Sequence, residues 1–144
     1  MNRDLLKSEL VRDEGMKLTA YRDTNNYWTI GVGHLLGTSP RMSTIFEREA
    51  MALLDVDIDE AENLARSLVP LFDSLSDPQQ RALVNMAFNR GGHLAHSTTI
   101  LPAILEASAG GDWGRVREAM SASQWAQQVG IRAERLADQF ELLA

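Results

Sequence analysis

Two carboxylates and a hydroxyl stand close together near the start of the chain. Glu14 is followed by Asp23 and then by Thr29, all within the first 34 residues. Two carboxyl groups in unlike environments that face one cleft are what hydrolysis of a glycosidic bond requires. The residue types and their spacing therefore indicate acid–base chemistry on a sugar, provided that the local elements bring the three side chains together.

Each of the three residues also has a purely structural explanation. Glu14 can be a surface carboxylate, Asp23 can cap its own turn, and Thr29 can be an ordinary strand residue. However, Glu14 stands at the predicted end of a helix beside Asp13, where the helix dipole and a like charge favour the protonated form that a general acid needs. If the turn spans Thr24–Tyr27, the hairpin returns Thr29 towards Asp23, and the pair can hold a water nucleophile.

The residues around this motif predict a helix followed by a small sheet. The helix has an apolar face and ends at Gly15, a typical left-handed C-terminal cap. Strand-forming residues then run from Thr19 to His34, so the sheet is expected near residues 17–36. Gly31 and Gly33 interrupt it, as a bulge or a close backbone approach would. The apolar face of the helix consists of Leu5, Leu6, Leu10 and Val11.

The remainder of the chain predicts helices. A capping box of Thr44 and Glu47 opens a long helix, and a second box, Ser76 with Gln79, opens another. The expected fold class is α+β and mostly helical, in a single domain covering 1–144. A small β lobe (about 15–60) would be joined by the long helix to a helical lobe (about 61–144 plus the N-terminal helix), with a cleft between them. The predicted helices are Thr44–Leu68, Ser76 to Gly91, Thr99–Ser108, Asp112–Met120 and Ile131–Leu143.

Composition excludes several function classes. The 144 residues include no cysteine and three histidines without the spacing of a ligand pair, which argues against disulfide, thiolate and metal chemistry. The net charge of −6 argues against a nucleic-acid partner. No apolar stretch is long enough to span a membrane, and the charged first residues do not resemble a signal peptide. We therefore expect synthesis in the cytoplasm and, for a target beyond the membrane, release by a separate protein.

The motif resembles the phage-type lysozymes, glycoside hydrolase family 24. The pattern Glu-Gly-x-x-Leu-x-x-Tyr-x-Asp-Thr, followed by Tyr-Trp-Thr-Ile-Gly-Val-Gly-His, matches that family at every catalytic spacing. The resemblance implies a lysozyme-like fold and a muramidase that cleaves the β-1,4 bond between N-acetylmuramic acid and N-acetylglucosamine in peptidoglycan. Such an endolysin would be a monomer without metal or cofactor, and a holin would give it access to the periplasm during host lysis. The similarity continues through Leu53–Asp57, Arg81–Asn89, Trp125 and Arg132–Arg135.

The resemblance also implies a role for each catalytic residue. Glu14 would protonate the leaving oxygen. Asp23 and Thr29 would position the attacking water, or Asp23 would stabilise the positive charge on the sugar ring.

Further residues follow from the same resemblance. Leu35, Phe88 and Asn89 would line the cleft, although plain helix core is the favoured interpretation of Phe88. Arg132 aligns with an arginine that lies against the catalytic glutamate in such enzymes, or it is a surface cation on the last helix. An ion pair between His34 and Asp55 is expected to be structural. The substrate-binding set is thus Leu35, Phe88, Asn89 and Arg132.

Two other functions compete with hydrolysis. A lytic transglycosylase on a related fold needs the acid but no carboxylate to position water, so Asp23 and Thr29 argue against it. A non-catalytic glycan-binding virion protein would have no reason to keep the whole triad. Whether the protein is a free endolysin or rides in the virion is left open by the sequence, as is the stereochemistry of cleavage.

Overall fold

The computed structural model describes residues 1–144, which form two compact units. The first, here called the hairpin unit, comprises Asp4–Asp59; the second, the helical unit, comprises Glu60–Ala144 together with Met1–Arg3. Nearly all of the first helix thus groups with the sheet. The helices are α1 (Arg3–Glu14), α2 (Glu47–Leu68), α3 (Asp77–Arg90), α4 (Ile100–Ser108), α5 (Trp113–Ser121), α6 (Gln124–Val129) and α7 (Ile131–Phe140). The strands are β1 (Lys17–Arg22), β2 (Trp28–Gly31) and β3 (His34–Gly37), so the predicted α+β class is confirmed.

The sheet is a three-stranded antiparallel meander in the order β1-β2-β3. Thr29 on β2 lies opposite Tyr21 on β1 and opposite Leu35 on β3. Successive side chains of a strand point to opposite faces of the sheet, so alternate residues share a face. One such face packs on α2. The small core formed there contains Ile30, Leu36, Ile45 and Ala50.

The start of α2 differs from the prediction. Thr44 does not cap the helix: it forms an isolated bridge with Thr19, so the backbone is still extended at that point. The helix begins three residues later at Glu47, and the Glu49 carboxylate accepts the Phe46 N–H at 3.2 Å. The predicted capping box at Thr44 is therefore wrong, since pairing with β1 takes precedence over the local capping preference.

The helical unit follows its sequence signals more closely. The Ser76–Gln79 capping box is present in both directions, and α3 ends at Gly91 as expected. The Gln79 side chain also donates to the Phe140 carbonyl oxygen at 2.8 Å, which ties α3 to the end of α7. Helix α6 escaped prediction because six residues are too short to show a helical period.

The buried faces of the helices match their apolar patterns only in part. On α1, Leu6 and Leu10 are fully buried, whereas Leu5 is about half exposed. The helix ends as predicted, with Gly15 in the left-handed region and its N–H donating to the Val11 carbonyl oxygen at 2.8 Å. None of the helices combines the length and the apolar character needed to cross a membrane.

Candidate active site

Glu14 is the last residue of α1, and its carboxylate lies against the backbone of Gly33. A Cβ atom added to Gly33 would stand only 3.0 Å from Glu14 Oε2. Gly33 also has φ +65, a left-handed conformation that other residues rarely adopt. The close approach predicted for this stretch of glycines is therefore present at Gly33. Asp13, its neighbour, is paired with the Arg12 guanidinium at 3.0 Å.

Asp23 organises the loop between β1 and β2. Its Oδ1 accepts hydrogen bonds from the backbone N–H groups of Asn25 and Tyr27, both at 2.9 Å. The loop closes further with the Asp23 N–H donating to the Tyr27 carbonyl oxygen at 2.8 Å, and Asn26 takes a left-handed φ of 66. The turn chemistry considered as an alternative is thus present, but it engages only one carboxylate oxygen and leaves Oδ2 for another hydrogen-bond donor.

Thr29 is buried in β2 with a hydroxyl that has no partner. The residue is 5% exposed, and no hydrogen-bonding group of the protein meets its Oγ1. A buried hydroxyl without a partner costs free energy, so such groups call for an explanation. A bound water or substrate atom would supply the missing partner.

Tyr21 is influenced by both carboxylates and is paired with Thr29 across the strands. It was assigned no role from the sequence. Burial raises the pKa of its phenol, and the negative charges of Glu14 and Asp23 raise it further. Both carboxylates therefore act on the same phenol, which lies opposite Thr29 in the strand register. Because paired positions of neighbouring strands share a face, Tyr21 and Thr29 lie on one face of the hairpin. The pairing of Tyr21 with Thr29 in the predicted hairpin is the sequence feature that could have identified Tyr21 as a site residue.

The hairpin unit thus contains two carboxylates that act on one phenol, and an unpartnered hydroxyl on the residue opposite that phenol. The carboxylates differ in environment: Glu14 ends a helix against a glycine, whereas Asp23 sits in a polar turn. One carboxyl group can donate a proton while the other accepts one from water, which is the division of roles in glycosidic hydrolysis.

The remaining predicted site residues are divided between the units. Leu35 is 58% exposed on β3, directly opposite Thr29. Phe88 is half-buried near the end of α3 and Asn89 beside it is exposed. The Asn89 Oδ1 accepts a hydrogen bond from Trp125 Nε1 at 2.7 Å.

Arg132 is buried within the helical unit. It is 6% exposed, and its Nε and Nη2 donate to Asn85 Oδ1 at 3.0 and 2.9 Å. Helices α3 and α7, which carry the two residues, pack directly against each other. The reading as a surface cation is therefore wrong, and one buried function of Arg132 is to join these helices.

The predicted ion pair between His34 and Asp55 is also wrong. His34 Nδ1 lies 2.8 Å from Asp57 Oδ2, whereas Asp55 Oδ1 pairs with Lys7 Nζ at 2.7 Å. Positions two apart on a helix point in nearly opposite directions, so only one of the two aspartates can face β3. Nowhere in the structure do three histidine, aspartate or glutamate side chains form a group that could hold a metal ion.

Acid–base cleavage of a glycosidic bond is the chemistry that this arrangement allows. The mostly helical α+β fold with a small three-stranded sheet is that of the lysozyme-like proteins. The sequence profile of the phage lysozyme family matches residues 11–138. Since that match spans most of the sequence, the chain belongs to the phage lysozyme family. It is accordingly a glycoside hydrolase of the lysozyme type, acting on cell walls.

Individual relatives agree with this assignment. The chain is 32% identical to the pre-baseplate central spike protein of Enterobacteria phage T4, over 88% of this chain but only 26% of that protein. It is 26% identical to probable T4-type lysozyme 1 of Dictyostelium discoideum, over 91% of this chain and 90% of the relative. Identity to the endolysin of Salmonella phage P22 is 35%, over 65% of this chain and 66% of the relative.

Proposed function

We propose that this protein is a muramidase that hydrolyses the β-1,4 bond between N-acetylmuramic acid and N-acetylglucosamine, with Glu14 as general acid. Asp23 and Thr29 hold the attacking water. The observation that carries the proposal is the buried, unpartnered hydroxyl of Thr29, opposite Tyr21, on which both carboxylates act. A water molecule or a substrate hydroxyl bound beside Thr29 would form the hydrogen bond that the protein does not supply.

The proton movements follow from the chemistry of the side chains. Glu14 gives its proton to the oxygen of the leaving sugar as the glycosidic bond breaks. A water molecule attacks the anomeric carbon, and its proton passes to the Asp23 carboxylate through Oδ2, because Oδ1 is engaged by the turn. Thr29 accepts a hydrogen bond from the water or donates one to it, which fixes the direction of attack. In the alternative role, Asp23 stabilises the positive charge on the sugar ring instead.

Leu35, Phe88 and Asn89 are proposed to contact the glycan strand. Leu35 is supported by its exposure and by its place opposite Thr29. Asn89 is supported by its exposed amide, whose orientation Trp125 fixes. Arg132 has little exposed surface to offer a substrate, so in this proposal it stabilises the helical unit through Asn85 and does not contact the glycan.

Replacement of Glu14 tests the assignment of the acid. Glu14→Gln keeps the size of the side chain and removes the transferable proton, so the release of reducing ends from purified cell walls should fall by about 10³-fold. Glu47→Gln is a matched control, because Glu47 is an exposed glutamate at the first turn of α2. Near-normal activity of Glu14→Gln, with the control also active, would remove Glu14 from the mechanism.

The biological role proposed for this activity is lysis of the bacterial host. Protein added to cells with a permeabilised outer membrane should reduce their turbidity, and Glu14→Gln should not. The likeness to a protein named as a baseplate spike component supports a second candidate, an enzyme carried in the virion. Mass spectrometry of purified phage particles separates the two, since a free endolysin is absent from them and a virion enzyme is present in fixed copy number.

A further inference from the structure

The helical unit contains a cavity of about 320 Å³ that is lined by none of the proposed catalytic or glycan-contacting residues. Helices α5, α6 and α7 form its walls. The side chains that decide its chemistry are Arg117, Ser121, Ala126, Gln127, Ile131 and Glu134. Small-molecule sites usually measure about 300–1,000 Å³ and combine apolar surface with a few polar groups. This cavity therefore has the size of a site for one small ligand.

Three exposed side chains around the cavity have hydrogen-bonding capacity that the protein does not use. No cation pairs with the Glu134 carboxylate, and neither the Ser121 hydroxyl nor the Gln127 amide has a partner in the protein. The three residues lie on three different helices. A carboxylate can only accept hydrogen bonds, whereas a hydroxyl and an amide both donate and accept. A ligand that carries donors as well as acceptors suits this set.

The charges around the cavity disfavour an anionic ligand. Arg117, the one cation that lines it, already donates through Nε to Glu141 and through Nη2 to both Asp138 and Glu141. With Glu134 included, three carboxylates therefore accompany one guanidinium. A further carboxylate or a phosphate would be repelled, so the cavity suits a neutral ligand with several polar groups.

Apolar surface is exposed beside these polar groups. Ile131, the first residue of α7, is 59% exposed, and the half-buried Ala126 lines the same cavity. Covering such surface with an apolar group of a ligand is favourable. The ligand is thus expected to combine hydroxyl or amide groups with a small apolar group.

We propose that this cavity is a second glycan-binding site, which holds an N-acetylated amino sugar of the cell wall. Ring hydroxyls donate to the Glu134 carboxylate, in hydrogen bonds that its charge strengthens. The Gln127 amide pairs with the acetamido group, and the methyl of that group packs on Ile131. Such a site keeps the enzyme on the wall between cleavages. The inference takes the identity of the sugar from the proposed function and in that respect rests on it.

Titration with the disaccharide N,N′-diacetylchitobiose tests the site without any requirement for activity. The reporter is the δ1-methyl resonance of Ile131, which lines the cavity and is exposed; comparison with Ile131→Val assigns it. The wild-type protein should show a saturable shift, and Glu134→Gln should weaken binding by about tenfold. Glu118→Gln is the matched control and should bind like the wild type, because Glu118 is an exposed glutamate of the same unit outside the cavity.

Two related disaccharides test the class of ligand. Cellobiose, with a hydroxyl in place of each acetamido group, and fully deacetylated chitobiose, with an amine there, should each bind about fivefold more weakly. Equal or tighter binding of the deacetylated sugar would identify a site for amines and overturn the proposal. Absence of a shift in the wild type, or equal binding by Glu134→Gln, would overturn it as well.

A variant without the proposed acid shows whether the site holds the wall. In sedimentation with purified cell walls, Glu14→Gln combined with Glu134→Gln should bind about threefold more weakly than Glu14→Gln alone. Glu14→Gln combined with Glu118→Gln should bind as well as Glu14→Gln. Equal retention of all three would contradict a role in wall binding. If the wild type releases no reducing ends, the proposed function fails, whereas the Ile131 titration still decides whether the cavity binds the sugar.

Discussion

In the hairpin unit, backbone conformation positions the functional side chains, whereas in the helical unit buried side-chain hydrogen bonds do so. The Glu14 carboxylate packs against Gly33, which has a left-handed backbone conformation. The Asp23 carboxylate accepts hydrogen bonds from N–H groups of its own loop. In the helical unit, Arg132 is held by Asn85, and Gln79 is held by the Phe140 carbonyl. The difference predicts that substitutions in the first unit mainly change activity, and that substitutions in the second mainly change stability.

The buried atoms without partners sharpen this contrast. Thr29 Oγ1 in the hairpin unit and Arg90 Nη1 in the helical unit are the two such side-chain atoms. Each costs folding free energy, and neither contributes a hydrogen bond to the fold. In the hairpin unit, the attacking water of the proposed mechanism would give Thr29 Oγ1 its missing partner.

Among the substitutions that test this contrast, removal of the Thr29 hydroxyl is expected to have the largest effect. Thr29→Val keeps the shape of the side chain, so the free energy of unfolding should stay the same or rise slightly. The value of kcat should fall by about 100-fold, because the attacking water loses its hydrogen bond to the hydroxyl. Cell-wall digestion and denaturant unfolding measure the two quantities. Thr19→Val, on the exposed part of β1, is the control and should alter neither. A loss of stability at Thr29 with unchanged activity would give the hydroxyl a structural role.

The helical unit should respond in the opposite way. Asn85→Leu removes the oxygen that accepts two hydrogen bonds from Arg132, and hydrogen bonds to charged groups contribute about 1.5–3 kcal/mol. The free energy of unfolding should therefore fall by about 2 kcal/mol, while the activity of the folded fraction changes little. Asn63→Leu, at an exposed position of α2, should stay within about 0.5 kcal/mol of the wild type. If the two variants are equally stable, the Arg132–Asn85 contact does not support the fold.

Two glycines separate backbone strain from the seating of the acid. Gly33→Ala and Gly37→Ala both force alanine into a left-handed conformation, which costs about 1–2 kcal/mol. Only at Gly33 does the added methyl meet the Glu14 carboxylate; at Gly37 no atom lies within 4 Å. Both variants should lose similar stability, but Gly33→Ala alone should lose activity, by about tenfold. Equal activities would show that the contact with Gly33 does not position the glutamate.

The smallest effect concerns the pH dependence of Tyr21. Its pKa is raised above the ordinary value of 10.0, first by burial and then by the charges of Glu14 and Asp23. Its contribution to stability is therefore complete below pH 10 and is lost as the pH rises through the higher pKa of the folded state. Spectrophotometric titration should find Tyr21 ionising above pH 10.0, and both Glu14→Gln and Asp23→Asn should lower its pKa. No change in either variant would mean that the carboxylates do not converge on Tyr21.

The sequence predicted those helix boundaries that a few adjacent residues determine. The Ser76–Gln79 capping box and the Gly15 end of α1 were predictable, because each is decided by a few adjacent residues. The capping box at Thr44 had the same local quality and was wrong, since a strand 25 positions earlier pairs with that residue. The short α6 was missed because too few residues were available to show a period.

The candidate site divides in the same way. The triad stood out because its members lie on adjacent elements, joined by one short hairpin. The choice of Asp57 over Asp55 by His34 depends on the rotation of α2 against β3, which spacing alone does not define.

Cleavage of purified peptidoglycan in oxygen-18 water tests the proposed hydrolysis most directly. If Glu14, Asp23 and Thr29 act as proposed, mass spectrometry of the fragments should find one oxygen-18 atom at each new reducing end. The label should be present in wild-type digests and almost absent with Glu14→Gln. Unlabelled 1,6-anhydro ends would contradict the hydrolytic mechanism and establish a transglycosylase, and intact glycan would establish a binding protein.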